Sequence, residues 1–197
     1  MSALTLCLPP RLSERRFLQI CQANPELHLE RTATGELIIM SPTGSETGLR
    51  NTQLTGQLWW WSEQQDLGEV FDSSTGFRLP NGADRSPDAS WVDKDRWLAL
   101  TPAQRRSFAP LCPDFVAELR SPSDDLAPLQ AKMREYLANG ARLGWLIDTG
   151  MQRVEIYRPE QPVEVCERPE TLSGEEVLPG FVLRLERIWG HRKRSHQ

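Results

Sequence analysis

Histidine is scarce in this chain: His28, His191 and His196 are the only three among 197 residues, and their spacing forms neither a catalytic triad nor an HNH-like cluster. Cysteine is also sparse. Cys7, Cys21, Cys112 and Cys166 are scattered with no CxxC pair and no histidine at metal-ligand spacing. That pattern argues against a structural zinc site and for reduced, packed thiols in a cytoplasmic protein. No stretch reaches the roughly 18 apolar residues of a membrane span, and no basic segment leads into an apolar run at the N-terminus, so neither a span nor a signal peptide is expected. The GxxxxGK phosphate loop, the GxGxxG dinucleotide turn, HExxH and the GxSxG elbow are all missing; Gly44-Ser45-Glu46-Thr47-Gly48 imitates the last only superficially, because its centre is a glutamate. Nor is there an excess of positive charge. With 23 Lys and Arg against 27 Asp and Glu, the net charge is −4, so any contact with nucleic acid must rest on local patches. These absences leave carboxylate chemistry.

What is present suits one core: 39% of the residues are hydrophobic and seven are tryptophan. With no internal repeat or low-complexity linker, the chain divides into an N-terminal extension (1–12), one domain (13–188) and a basic tail (189–197) containing His191-Arg192-Lys193-Arg194. Ser13 can cap a short helix that Pro25 stops, with Phe17, Leu18 and Cys21 turned inward. Leu27–Arg31 and Glu36–Met40 read as a hairpin through Thr34-Gly35. From Glu46 to about Asp66, Leu54, Leu58 and Trp61 recur at helical spacing, and Gly68 suits the C-terminal end. Trp59, Trp60 and Trp61 cannot all face one way, so at least one is expected near the surface, as a dimer contact more readily than a base-stacking platform. Short strands follow at 69–72, 76–79 and 88–92, punctuated by Asn81-Gly82 and suggesting one twisted sheet; a charged insert with a helix start at Thr101-Pro102 comes next.

The most informative stretch runs from Asp114 to Lys132. Alternation along the strand puts Phe115, Ala117 and Leu119 on one face and Asp114, Val116, Glu118 and Arg120 on the other. Glu118 thus lies in an apolar run of the kind covered on both faces, where an ionised carboxylate needs a partner or a metal. Ser121-Pro122-Ser123 reads as turn chemistry. In the helix that follows, Asp124 or Asp125 can serve as cap and Pro128 falls in the first turn. Leu126, Leu129, Met133, Tyr136 and Leu137 form its inward stripe, with Lys132 at the edge of that stripe. The helix ends at Asn139-Gly140 and a buried strand follows at 143–148, which makes a parallel, right-handed crossover. Strands at 152–157 and 163–167 extend the sheet, and 181–185 closes the domain.

Pro87-Asp88, the strand acid Glu118 and Lys132, taken in that order, resemble the PD-(D/E)XK nuclease superfamily. More closely, the chain resembles the Uma-two family of endonucleases, on Gly35-Glu36-Leu37-Ile38-Ile39-Met40-Ser41-Pro42-Thr43-Gly44, Pro87-Asp88, Val116 through Asp124, Lys132, Tyr136, Gly140-Ala141-Arg142 and Trp145-Leu146-Ile147-Asp148. The resemblance spans roughly residues 14–185. It implies an α/β (α+β), restriction endonuclease-like mixed sheet flanked by helices. It also implies that Asp88, Glu118 and the backbone carbonyl of Leu119 bind Mg²⁺ or Mn²⁺, oxygen donors that suit hard cations. Lys132 would orient water or stabilise phosphate charge, and Glu46, at the start of the first long helix, would be an additional ligand.

The superfamily usually places lysine two residues after the acid, where this chain has Arg120. Arginine stabilises charge but does not act as a base, so the amine moves to Lys132. Each residue has a structural alternative. Asp88 could be a turn acid, Glu118 could pair with Arg120 or Arg134, and Lys132 could lie along the surface. The expected function is metal-dependent hydrolysis of DNA, with Arg85, Arg105, Arg106 or the tail meeting phosphates and a homodimer supplying two sites. The alternative is a catalytically silent binding or assembly module that keeps the fold.

Overall fold

The structure, a computed structural model, describes residues 3–8, 11–121 and 124–190; the basic tail from His191 and the Pro122-Ser123 part of the expected turn lie outside the described residues. In chain order the first half comprises β1 (Ala3–Leu6), α1 (Glu14–Ala23), β2 (His28–Arg31), β3 (Leu37–Met40), α2 (Ser45–Gln65), β4 (Gly68–Asp72), β5 (Phe77–Arg78), β6 (Asp84–Arg85) and β7 (Ala89–Asp93). The second half comprises α3 (Lys94–Leu98), α4 (Pro102–Arg105), β8 (Phe115–Arg120), α5 (Leu126–Ala138), β9 (Leu143–Asp148), β10 (Arg153–Tyr157), β11 (Glu164–Glu167), β12 (Thr171–Ser173), β13 (Val182–Arg184) and α6 (Glu186–Trp189).

The main sheet has the order β11-β10-β9-β8-β7-β4. Only β8 and β9 run parallel, in register from Phe115 opposite Leu143 to Arg120 opposite Asp148, and α5 makes the crossover between them. A parallel pair needs such a crossover because no tight turn can reverse the chain twice. Side-chain alternation then sorts the two faces. Phe115, Ala117 and Leu119 join Leu143, Trp145 and Ile147 in a core packed against Leu54, Leu58 and Trp61 of α2. Val116 and Leu146 face Met133 and Tyr136 of α5. Glu118 sits on the α5 side, two residues from Val116, as the period of a strand requires.

A second sheet, ordered β1-β3-β2-β6-β5, stands beside the first. Leu29 and Leu37 bury one of its faces with Phe17 of α1, partly burying Ile39 as well. It is tied together by Asp84, fully buried between the Arg31 Nε at 2.7 Å and the Arg78 Nε at 2.8 Å. Arg31 also donates to the carbonyls of Leu12 and Gly82, so its guanidinium fork is well used.

A mixed sheet flanked by helices is the architecture expected from the sequence, with three differences. The strands of the central region do not form one sheet: β4 and β7 join the main sheet, while β5 and β6 continue the hairpin. Residues 3–6, expected to be an extension, pair with β3 from Ala3 opposite Met40 to Leu6 opposite Leu37. Gly68 does not end α2. Asp66 takes the left-handed conformation at that cap (φ 53°), and Gly68 opens β4, where an added Cβ would lie 2.3 Å from the Val92 carbonyl oxygen and 2.5 Å from the Trp91 ring. Of the three consecutive tryptophans, Trp61 is buried and Trp59 and Trp60 are exposed.

Because that obstacle is backbone and a buried ring, Gly68→Ala must push β4 away from β7. We expect it to lower stability by about 1–3 kcal/mol, seen as a reduced urea midpoint at unchanged slope.

Candidate active site

Strand register brings the two acids together. The pairing of β7 with β8 ends at Ala89 opposite Ala117, and one further step sets Asp88 opposite Glu118. Directly opposed residues on one face stand about 4.5–5.5 Å apart at Cβ. Pro87, which has no N–H, stops the ladder, and the Asp88 carboxylate replaces it: Oδ2 accepts from the Leu119 backbone N–H at 2.8 Å, and Oδ1 accepts from Asn51 Nδ2 of α2 at 3.2 Å. Both acids are almost entirely buried, with 5% and 4% of their surfaces exposed.

Lys132 reaches the pair from α5. Its Nζ lies 2.8 Å from Glu118 Oε1 and 2.9 Å from Glu30 Oε1, and donates to the Ser86 carbonyl at 3.2 Å. An ammonium has three N–H bonds, and all three find acceptors here. Tyr136, one turn further along α5, donates its hydroxyl to Glu118 Oε1 at 3.1 Å. Glu30 is held in turn by the Ser86 N–H at 2.9 Å and by Arg85 Nη1 at 3.0 Å, while Arg85 Nε reaches Glu135 at 2.6 Å. Lysine, arginine and glutamate from α5, β6 and β2 therefore form one buried network around the end of β7.

The charges compete with burial. Burial pushes the Glu118 carboxyl up to about 7; Lys132 pulls it down, and Asp88 and Glu30 push it up again. Asp88 is raised by burial, against the Leu119 N–H and Lys132. Burial also presses on Glu30, but Lys132 and Arg85 outweigh it and hold that carboxyl below its ordinary value. Burial would strip the proton from Lys132, yet Glu118 and Glu30 win and keep it well above the usual lysine value. Lys132 is thus a permanent cation and not a base.

With every member ionised, the carboxylates of Glu30, Asp88, Glu118 and Glu135 stand against only Lys132 and Arg85, leaving a formal excess of two negative charges. A divalent cation matches that excess in charge, and the donors are the hard oxygens it prefers. Lys132 and Tyr136 both meet Glu118 at Oε1. Among the described residues, no three His, Cys, Asp or Glu side chains form a ready-made metal cage. A cation held by Asp88 and Glu118 would complete its shell with the Leu119 carbonyl and waters, as Mg²⁺ commonly does. The residues therefore fit such an ion. They line a cavity of about 830 Å³ between α5 and the second sheet.

Asp88, Glu118, Leu119 and Lys132 are brought together in one cavity wall, and Lys132 is half-buried, pointing into the site and not spread along the surface. Glu118 pairs with Lys132 and not with Arg120 or Arg134. Two other residues lie elsewhere. Glu46 is exposed and paired with Arg50 at 2.6 Å. Arg120 is bound to Asp148 at 2.6 Å and to the Asp124 carbonyl, outside the cavity wall. Arg85, expected to meet phosphate, is spent on Glu30 and Glu135. Sequence reading missed Glu30, Asn51 and the anchoring role of Arg85. The available signal for Glu30 was an acid inside a short strand, beside a leucine, with no local partner.

A mixed sheet flanked by helices is the restriction endonuclease-like architecture. Residues 15–186 match the profile of the Uma2 family, described as "Putative restriction endonuclease", and the chain belongs to that family. Among solved structures it is similar to a protein from Anabaena variabilis described as "a putative nuclease belonging to DUF820", with a TM-score of 0.71 and 20% identity over 83% of this chain and 90% of that one. At that identity the likeness concerns the fold. None of the curated proteins matches the sequence.

Removing the ammonium leaves Glu118 and Glu30 buried without it. Lys132→Met should cost about 3–5 kcal/mol at alkaline pH. The penalty belongs to the ionised carboxylates. Glu118, already pushed up to about 7 from an ordinary 4.5, would rise further in the variant, and Glu30, now held below its ordinary value, would lose the ammonium that lowers it. The gap to wild type should therefore shrink as pH falls from about 8 to about 5, measured by urea unfolding at each pH.

Proposed function

We propose that this protein is a metal-dependent endonuclease that hydrolyses DNA phosphodiester bonds. The observation that carries the reading is the buried Asp88–Glu118 pair, in excess of its local cations and opening into a cavity, with the Lys132 ammonium 2.8 Å from Glu118. Asp88, Glu118 and the Leu119 carbonyl would hold Mg²⁺ or Mn²⁺, which would supply activation of a bound water and neutralisation of charge on the phosphate. Asn51 and the Leu119 N–H fix the Asp88 carboxylate. Lys132, kept protonated by two carboxylates, exchanges its long contact to the Ser86 carbonyl for a phosphate oxygen as charge builds, or for the attacking water, which it orients. The water oxygen gives up a proton to solvent and bonds to phosphorus as the P–O bond to the departing strand breaks, and the departing oxygen takes up a proton from solvent. Severing both strands at one place requires two such sites, which a homodimer supplies; the exposed Trp59 and Trp60 are candidates for that contact.

The test is incubation with supercoiled plasmid in Mg²⁺, in Mn²⁺ and in EDTA. We expect nicking or linearisation that requires the metal. It should be abolished in Asp88→Ala and Glu118→Ala and reduced roughly 10²–10³-fold in Lys132→Ala. Inert protein that also takes up no metal would instead mark a silent module on a nuclease fold.

A further inference from the structure

The cavity beside the carboxylates has a second wall that the proposed chemistry leaves unused. The pairing of β3 with β1 and β2 sets Ala3, Met40 and His28 in one cross-strand row and Thr5, Ile38 and Glu30 in the next. All six line the cavity. Ile38 and Met40 face it because strand alternation sends Leu37 and Ile39 to the α1 core on the other side. Pro128 and Leu129 of α5 stand across from them, one turn before Lys132. The result is a slot with apolar walls and a buried carboxylate floor.

Its charge suits one nucleotide and not a long run of phosphates. Protein that grips an extended nucleic-acid backbone, double- or single-stranded, neutralises phosphates with free lysines and arginines. Here the two cations on the wall, Arg85 and Lys132, are both tied to glutamates, and Asp124 and Asp125 add acid at the α5 end. The volume, about 830 Å³, falls within the range of small-ligand pockets. Apolar side chains that flank an extruded base, next to the groups that act on it, are how enzymes hold nucleotides taken out of the helix.

We propose that the site takes an unpaired nucleotide: the substrate is single-stranded DNA or an unpaired segment within a duplex. The base lies between Ile38–Met40 and Pro128–Leu129, and its phosphate lies beside the cation that Asp88 and Glu118 would hold. The inference rests on the nuclease reading and narrows its substrate. Such a site cuts one strand at a time and does not need a second copy.

The experiment compares, in Mn²⁺, cleavage of a linear single strand, a fully paired duplex and the same duplex carrying a bulge. A second arm follows the fluorescence of 2-aminopurine in single-stranded and paired oligonucleotides titrated with protein in Ca²⁺. Unpaired substrates should be cut at least roughly tenfold faster than duplex, and the probe signal should change only when the base is unpaired. Met40→Ala and Leu129→Ala, checked for intact unfolding transitions, should weaken single-strand binding roughly tenfold. A duplex cut as fast as the single strand would overturn this inference and leave the nuclease standing. If no substrate is cut, the nuclease reading falls and the fluorescence arm decides the slot: a signal lost in Met40→Ala sustains it, and no signal overturns it.

Discussion

One ammonium group holds the functional end of this molecule together. Lys132 comes from the helix that crosses between β8 and β9, and its three acceptors belong to three other places: Glu118 on the main sheet, Glu30 on the second sheet and Ser86 on the link between the sheets. The two sheets share no paired strand. Lys132 and the neighbouring Arg85, which reaches from Glu30 to Glu135 of α5, bind them across the cavity, and Phe77 of β5 packs against Phe71 of β4 and Val92 of β7 on the far side. Placing one strand end, one hairpin and one helix around a single charge fixes all three relative to one another.

Such a network is costly. Each buried ion forfeits hydration worth several kcal/mol, and a well-packed apolar cluster would commonly be as stable or more so. Its arrangement is hard to explain as scaffolding alone, because the acids outnumber the cations and Glu118 is pushed up to about 7. Groups poised in this way, in a cleft, are what sites that act on charged ligands require. The supporting cores are conventional by comparison. Trp145 packs edge-on to Phe115 at 4.8 Å and stacks with Phe181 at 6.1 Å, giving the β8–β9 pair a rigid backing on the face opposite Glu118.

Much of this was legible in the sequence because it follows from local period. The two-residue alternation of FVAELR places Glu118 on one face, the three-and-four spacing of α5 places Lys132 beside Tyr136, and Pro87-Asp88 marks where a strand begins. These residues meet as expected. What was not legible depended on long-range pairing. Nothing local distinguishes strands that continue the hairpin from strands that join the main sheet, so β5 was expected in one sheet with β4 and β7, and the two-residue β6 was not expected as a strand. Glu30 was hidden for the same reason: its partners lie 55 to 102 positions away, at Arg85 and Lys132. Arg120, two residues after Glu118, looked available for the site, but Asp148 stands opposite it on β9 and takes its charge. Gly68 read as a helix end, whereas the close approach of Val92 and Trp91 is its actual reason for being glycine.

The central claim is that two buried carboxylates form a divalent-cation site whose charge Lys132 only partly balances. Titration of the wild-type protein with Mn²⁺, followed by water-proton relaxation in parallel with Asp88→Asn, tests it without requiring any substrate. The account predicts enhanced relaxation that saturates in the wild type, is displaced by Mg²⁺ and is lost in Asp88→Asn. Relaxation no different from free Mn²⁺, or equal in both proteins, would contradict it.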